Sequence, residues 1–203
     1  MRRLLIVSLN GDPLAELGAE HAGGQCRYVL EIGKRLAAYE WSSVVFTIQN
    51  GDAPQHQRVG LTFELWRVPL DGVASYEPVA CLRQIETITA RILDIIETHH
   101  VAADVILACY WLSGLAAVRL AESLDRKMVI SFCSLGIYKA TTSGTQAMAE
   151  RIALERYVAS QASHIIATSS EEAHTLMRDY GTDSRKISII PRGIDIDVFR
   201  PLL

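Results

Sequence analysis

At 203 residues, 49% of them hydrophobic, the chain can bury one substantial core, and its length favours a single domain. Its net charge of −3 is dispersed, so there is no basic stripe for nucleic acid, and no run approaches the ~20 apolar residues of a membrane span. Cys26, Cys81, Cys109 and Cys133 share no CxxC or metal-type spacing, and the apolar run after Met1-Arg2-Arg3 is too short for a signal peptide, so a cytoplasmic protein with reduced thiols is expected.

Leu4 to Leu9 reads as a buried first strand closed by the turn-rich Asn10-Gly11-Asp12-Pro13. A helix follows from about Gln25 to Tyr39, with Val29, Ile32, Leu36 and Ala37 inward and Arg27, Glu31, Lys34 and Arg35 outward. Ser43 to Ile48 is a second strand, Ala53 to Gly60 a polar loop, and Leu61 to Leu70 a strand nearer the sheet edge. Glu77 to Thr98 reads as one long helix with Leu82, Ile85, Ile92 and Ile95 on a stripe.

The centre of the chain is a strand–helix–strand unit. Val105 to Cys109 and Met128 to Cys133 are unbroken apolar runs, as in strands covered on both faces of a parallel sheet. Between them an amphipathic segment carries Leu115, Val118 and Leu120 on one side and Arg119, Glu122 and Asp125 on the other. A polar loop at Thr141 to Gly144 precedes a helix over Gln146 to Gln161 and a buried strand over His164 to Thr168. Ser169 with Glu172 three residues on is a capping box for a helix to Tyr180, stopped by Gly181. Ile187 to Ile190 is the last strand before Pro191-Arg192-Gly193. Strands alternating with helices predict an α/β fold with a doubly wound, mostly parallel sheet over residues 1–193, and residues 194–203 read as the start of a linker.

In such sheets ligands bind outside the carboxyl ends of the strands. Gly23-Gly24 opens the first helix, where glycine lets backbone N–H groups approach a phosphate. Two glycines also make an ordinary turn, and no GxGxxG or ribose-binding acid after the second strand supports a dinucleotide, which sets aside a nucleotide-dependent oxidoreductase. Tyr110-Trp111 and Cys133 stand at strand ends, where plain packing is the simpler reading, and Cys133 has no neighbouring His to make it a nucleophile. Lys139 and Arg151 read either as solvated charges or as partners for a sugar phosphate, and Glu150 and Glu155 as helix-surface residues. The six histidines form no ligand cluster, and no metal or bound cofactor is expected.

In order, the segments Asn10-Gly11-Asp12-Pro13 with Leu17-Gly18, Ala22-Gly23-Gly24-Gln25 with Tyr28-Val29, Tyr110-Trp111-Leu112-Ser113-Gly114, Ser134-Leu135-Gly136 with Lys139, and Ile190-Pro191-Arg192-Gly193-Ile194-Asp195 with Phe199 and Pro201 span nearly the whole chain. Together they resemble the N-terminal, acceptor-side domain of the retaining GT-B glycosyltransferases of family 4, in the sucrose-phosphate synthase and sucrose synthase branch. The resemblance implies a Rossmann-like domain facing a second, donor-binding domain that these 203 residues do not include, and hexosyl transfer from a nucleotide-sugar such as UDP-glucose to a sugar or sugar-phosphate acceptor. It implies substrate contacts at Asn10, Gly11, Gly23, Gly24, Gln25, Tyr110, Trp111, Lys139 and Arg151, with Gly23 and Gly24 near the donor diphosphate, Gln25 on the sugars, and Lys139 and Arg151 on the acceptor phosphate.

Where the family pattern has His, this chain has Asn10, Leu107 and Cys133. Cys133 stands where that His meets the transferring sugar, and Cys neither replaces its geometry nor carries a positive charge. The resulting expectation is a glycosyltransferase half that is inactive by itself, completed by a separate donor-domain chain or self-associating. The alternative is a non-catalytic sugar-phosphate-binding or regulatory module descended from the family.

Overall fold

The structure is a computed structural model that describes residues 1–16, 18, 23–73, 76–140, 146–194 and 196. Its sheet has eight strands: β1 (Arg2–Val7), β2 (Trp41–Ile48), β3 (His56–Val59), β4 (Phe63–Val68), β5 (Val105–Cys109), β6 (Lys127–Ser131), β7 (His164–Ala167) and β8 (Ile187–Ile189), in the spatial order β3-β4-β2-β1-β5-β6-β7-β8. Every pair is parallel except β3 with β4. The helices are α1 (Gly24–Arg35), α2 (Pro78–Arg83), α3 (Ile85–Thr98), α4 (Trp111–Leu124), α5 (Gly136–Ala140), α6 (Gln146–Gln161) and α7 (Ser170–Tyr180).

Side chains alternate across β1, so Leu4 and Ile6 join one core layer with Val29, Leu30, Phe63 and Leu107 under α1, while Leu5 and Val7 join the other. That second, larger layer takes in Ile88 and Ile92 of α3, Leu112 and Leu120 of α4, Val158 of α6 and Leu176 of α7. The doubly wound sheet expected from the sequence is therefore present, with helices on both faces. Leu107, counted above with two site residues, belongs to the core under α1 and not to the strand-end edge.

The structure departs from the expected elements in several places. Residues 53–60 include β3, a polar edge strand whose His56 stacks on Trp66 at 3.9 Å and whose ring nitrogen lies 2.7 Å from Glu64. Three of its four residues are exposed and only Val59 packs on the core, too little apolar pattern to read. β3 takes the outer edge, which leaves β4 one place in, near the edge as expected; the Arg67 of β4 is buried, donating to Asp12 at 2.6 Å and to the carbonyl of Pro54 at 2.6 Å. The long helix is divided at Gln84, whose side-chain amide is turned to the backbone of Asp71, accepting at 2.8 Å and donating at 2.9 Å. β6 stops at Ser131, before Cys133, and a short α5 follows. At α7, Ser169 caps the N–H of Glu172 at 3.1 Å, but the Glu172 carboxylate takes the N–H and hydroxyl of Thr168 at 2.7 and 2.6 Å, so half of the capping box is replaced. Leu17, Ala22, the loop 141–144, Asp195, Phe199, Pro201 and most of the expected linker lie outside the described residues.

Gly114 lets α4 sit close to its neighbours: a Cβ there would stand 2.5 Å from Val158 and 2.8 Å from Ile130. Gly114→Ala should therefore cost about 1–3 kcal/mol through overpacking, read as a melting midpoint lower by roughly 2–10 °C. An unchanged midpoint would show that this approach is not tight.

Candidate functional site

The strand order reverses between β1 and β5. β1 leads to α1 on one face of the sheet, and β5 leads to α4 on the other, so a crevice opens at their carboxyl ends. The residues singled out from the sequence fall on this edge.

Asn10 follows β1, and Gln25 lies in the first turn of α1. The Asn10 amide donates to Gln25 Oε1 at 3.0 Å, and Gln25 Nε2 donates to Ser8 Oγ at 3.1 Å and to the carbonyl of Cys109 at 3.2 Å. Gln25 thus joins β1, β5 and α1 through one amide. Gly11 is buried, its carbonyl accepting from the Thr47 hydroxyl at 3.1 Å, and the buried Asp12–Arg67 pair holds the loop beyond it.

Gly23 is the N-cap of α1, and among the described residues neither Gly23 nor Gly24 would bring a Cβ within 4 Å of another group. Among the described residues no acceptor meets the N–H of Gly24 or Gln25 at the positive end of α1.

Tyr110 caps α4 with φ 81° and ψ 156°, a conformation that side-chain-bearing residues rarely adopt. It is held there by its N–H to the carbonyl of Ser131, 2.9 Å, and by its carbonyl to the N–H of Gly114, 2.9 Å. Cys133 also has a positive φ of 61°. Two strained residues at neighbouring strand ends are over-determined by their surroundings, as at binding sites. Trp111 is 7% exposed, and its indole N–H finds no partner among the described residues.

Arg151 of α6 lies beneath this aromatic pair, its guanidinium carbon 5.2 Å from the Tyr110 ring centre and 5.9 Å from that of Trp111. Its Nε donates to Glu155 at 2.8 Å and its Nη2 to the carbonyl of Ser134 at 2.8 Å. Arg151 is therefore a buried, partnered cation and not a solvated one. Glu155 is fully buried, correcting its reading as a surface residue. It accepts from the N–H of Gly136 at 2.9 Å and from the Tyr180 hydroxyl at 2.6 Å. Burial and this carboxylate push the Tyr180 phenol well above its ordinary range. Lys139 is exposed on α5, which starts against the Arg151–Glu155 pair at Gly136.

The residue that sequence reading passed over is Arg192, just after β8. Its Nη2 donates to Ser131 Oγ at 3.0 Å and to Cys133 Sγ at 3.1 Å, and its guanidinium carbon sits 3.5 Å from the centre of the Tyr28 ring. Its signal was its place, the first turn after a strand at the carboxyl edge of the sheet, where such sheets bind ligands. A positive charge does stand at Cys133, but it comes from another loop.

Burial pushes the Cys133 and Cys109 thiols up, with Arg192 pulling the other way at both. Neither is an activated nucleophile at neutral pH. Among the described residues no group of three His, Cys, Asp or Glu is placed to hold a metal. Cavities of about 170 and 250 Å³ open at the opposite edge of the sheet, around Met128 and around Arg3. The groups described above form an open face, which suits a site with a second wall.

Two outcomes follow. Glu155→Ala would leave Arg151 buried and unpaired, and should cost about 3–5 kcal/mol, read by chemical denaturation; a cost below about 1 kcal/mol would mean that the carboxylate does not organise this corner. Folding also holds Cys26, Cys81, Cys109, Cys133, Tyr28, Tyr76 and Tyr180 in their neutral forms, Cys81 being pushed up to about 11. That contribution is complete below the ordinary thiol value of 9.0 and is lost as pH rises through the raised values. The melting midpoint should fall between pH 9.0 and about 11; a rising midpoint over that window would contradict this balance.

The arrangement has close counterparts. The chain is 29% identical over 205 residues to a D-inositol 3-phosphate glycosyltransferase of Xylanimonas cellulosilytica, covering 98% of this chain and 49% of that protein. It is 27% identical over 214 residues to a mannosylfructose-phosphate synthase of Agrobacterium fabrum, covering 98% and 47%. Its fold superposes on a sucrose-phosphate synthase of Thermosynechococcus elongatus with a TM-score of 0.83 and 26% identity, over 100% of this chain and 51% of that one. The chain thus spans about half the length of the relatives it matches. A family model described as Glycosyltransferase Family 4 matches residues 22–198, from the loop before Gly23-Gly24 to beyond Arg192, and the chain belongs to that family.

Proposed function

We propose that this chain is the acceptor-side wall of a glycosyltransferase that moves a hexosyl group from a nucleotide-sugar, UDP-glucose or a near relative, to a phosphorylated sugar or polyol. The observation that carries it is the meeting, at one strand-end edge, of the Asn10–Gln25 amide pair, the open N-terminus of α1 and the cations Lys139 and Arg151. The names of the three relatives each carry a phosphorylated sugar or polyol, which supports that acceptor class.

On this reading Asn10, Gly11 and Gln25 meet the sugar hydroxyls, and Tyr110 and Trp111 give the acceptor an apolar floor. Lys139 holds the acceptor phosphate from solvent, and Arg151 offers Nη1, its other two nitrogens being occupied by Glu155 and Ser134. The N–H groups of Gly24 and Gln25, with Gly23 keeping the approach clear, face the donor diphosphate. An acceptor hydroxyl oxygen bonds to the anomeric carbon as the bond from that carbon to the diphosphate oxygen breaks. The hydroxyl proton passes to the departing phosphate, and configuration is retained. Fixed N–H dipoles aimed at the charge growing on that phosphate lower the barrier. Transfer needs a second wall to bind the nucleotide, so the 203 residues by themselves bind without turning over. The exposed Ile189, Ile190, Ile194 and Ile196 give apolar surface on which a donor-binding wall can close.

A second reading, a sugar-phosphate-binding module without transfer, is favoured by the neutral thiols at 109 and 133. The two share the acceptor site and part only on turnover when a donor-binding wall is supplied. Calorimetric titration of the chain with fructose 6-phosphate and with fructose tests what they share. The phosphorylated sugar should bind, fructose should bind at least tenfold more weakly, and Lys139→Ala should erase about tenfold of the difference. Equal affinity for both sugars, or no heat from either with the chain folded, would overturn the acceptor assignment.

A further inference from the structure

The charge balance of the strand-end edge is uneven. Arg151 has its carboxylate, and Arg67 is likewise neutralised by Asp12. Arg192 is not: among the described residues no carboxylate oxygen comes within 4 Å of it. Its partners are a hydroxyl, a thiol and an aromatic ring, all neutral. Glu172, the carboxylate felt at Cys133, is occupied by the N–H and hydroxyl of Thr168.

The guanidinium is also held in place. Ser131, its hydroxyl partner, is fully buried, and the ring of Tyr28 carries its flat face. Tyr28 is four residues beyond Gly24 on α1, so the two share a helix face. Arg192 therefore packs on the face of α1 that also carries Gly24, and it touches the strained Cys133. Its Nε and Nη1 make no hydrogen bond among the described residues. A half-buried cation costs free energy unless an anion completes it, and a guanidinium fork over a helix N-terminus matches the shape and charge of a phosphate.

We propose that Arg192, fixed by Ser131 and Tyr28, binds a phosphate group of the ligand in the crevice between α1 and the loop after β6. It is a second phosphate point, distinct from Lys139 and Arg151. The inference stands on the geometry of Arg192, and it adds to the proposed function the residue that completes the charge of the α1 N-terminus. A phosphate there comes either from a nucleotide diphosphate or from a sugar phosphate.

The test is calorimetric titration of the 203-residue chain with UDP, fructose 6-phosphate and inorganic phosphate, using the wild type, Arg192→Met and Arg192→Lys. Arg192→Met should weaken at least one of the three by about tenfold or more, and Arg192→Lys should recover part of that loss, since lysine restores charge without the fork. Weakening confined to UDP assigns the point to a diphosphate, and weakening confined to fructose 6-phosphate assigns it to a sugar phosphate. Melting curves matching the wild type establish that each variant is folded; if Arg192→Met is not, Arg192→Lys alone decides, by a loss of threefold or more. Binding of all three unchanged in both variants, or no binding of any to the wild type, overturns the proposal. If Lys139→Ala weakens fructose 6-phosphate while Arg192→Met changes nothing, the acceptor site stands and Arg192 falls. If UDP binds through Arg192 and fructose 6-phosphate does not bind, Arg192 stands and the acceptor assignment falls.

Discussion

Glu155 is the group on which the acceptor side of this structure depends. A carboxylate with no exposure to solvent is costly to bury, and it persists only where donors surround it. Here the donors come from three elements: the N–H of Gly136 at the start of α5, the guanidinium of Arg151 one turn earlier on α6, and the hydroxyl of Tyr180 at the end of α7. One buried charge thereby fixes where α5 begins, how far Arg151 extends and how α7 docks. Arg151 in turn supports Tyr110 and Trp111 from below and holds the carbonyl of Ser134. The corner carrying Lys139 is rigid at its root because Gly136 has no side chain to push Glu155 and Arg151 away.

On the other side of the crevice the same work is done by neutral amides. Gln25 reaches Ser8, Asn10 and the carbonyl of Cys109, closing the switch point between β1 and β5 without a charge. A formal charge also reaches α1 from the far end of the chain, that of Arg192 on the Tyr28 ring, beside the partial charges of the helix N-terminus itself. The edge thus carries a paired cation by the aromatic rings of Tyr110 and Trp111 and, on the Tyr28 ring of α1, one that meets no carboxylate among the described residues. That division suits a site that receives ligands with more than one phosphate.

Much of this was legible in the sequence because parallel sheets covered on both faces write themselves as unbroken apolar runs. Val105 to Cys109 and the residues around Val129 could hardly be anything else. The turn chemistry of Asn10 to Pro13 and the glycines before α1 pointed to the strand-end edge at which the site is proposed. What escaped was set by tertiary context. β3 has a single apolar residue, Val59, and no alternation, so its pairing with β4 is invisible locally. The break at Gln84 comes from a side chain gripping a loop thirteen residues earlier, not from a helix-breaking residue. Glu155 lies in a helix rich in charged residues, where one more acid reads as surface, and only the fold shows that its neighbours are donors. Arg192 sits in a turn that reads only as the end of the last strand, and its partners Tyr28, Ser131 and Cys133 are remote in sequence.

The central claim is that ligands bind at the carboxyl edge of β1, β5 and β6 and not in the cavities at the opposite edge. Amide chemical-shift mapping of the isotope-labelled chain during titration with fructose 6-phosphate tests it most directly. Shifts are expected at Gly24 to Tyr28, Tyr110 to Ser113 and Cys133 to Lys139, with Met128, Ser163, Ser42 and Thr62 unmoved. Shifts confined to those last four and their neighbours would place the ligand in the opposite cavities and contradict it.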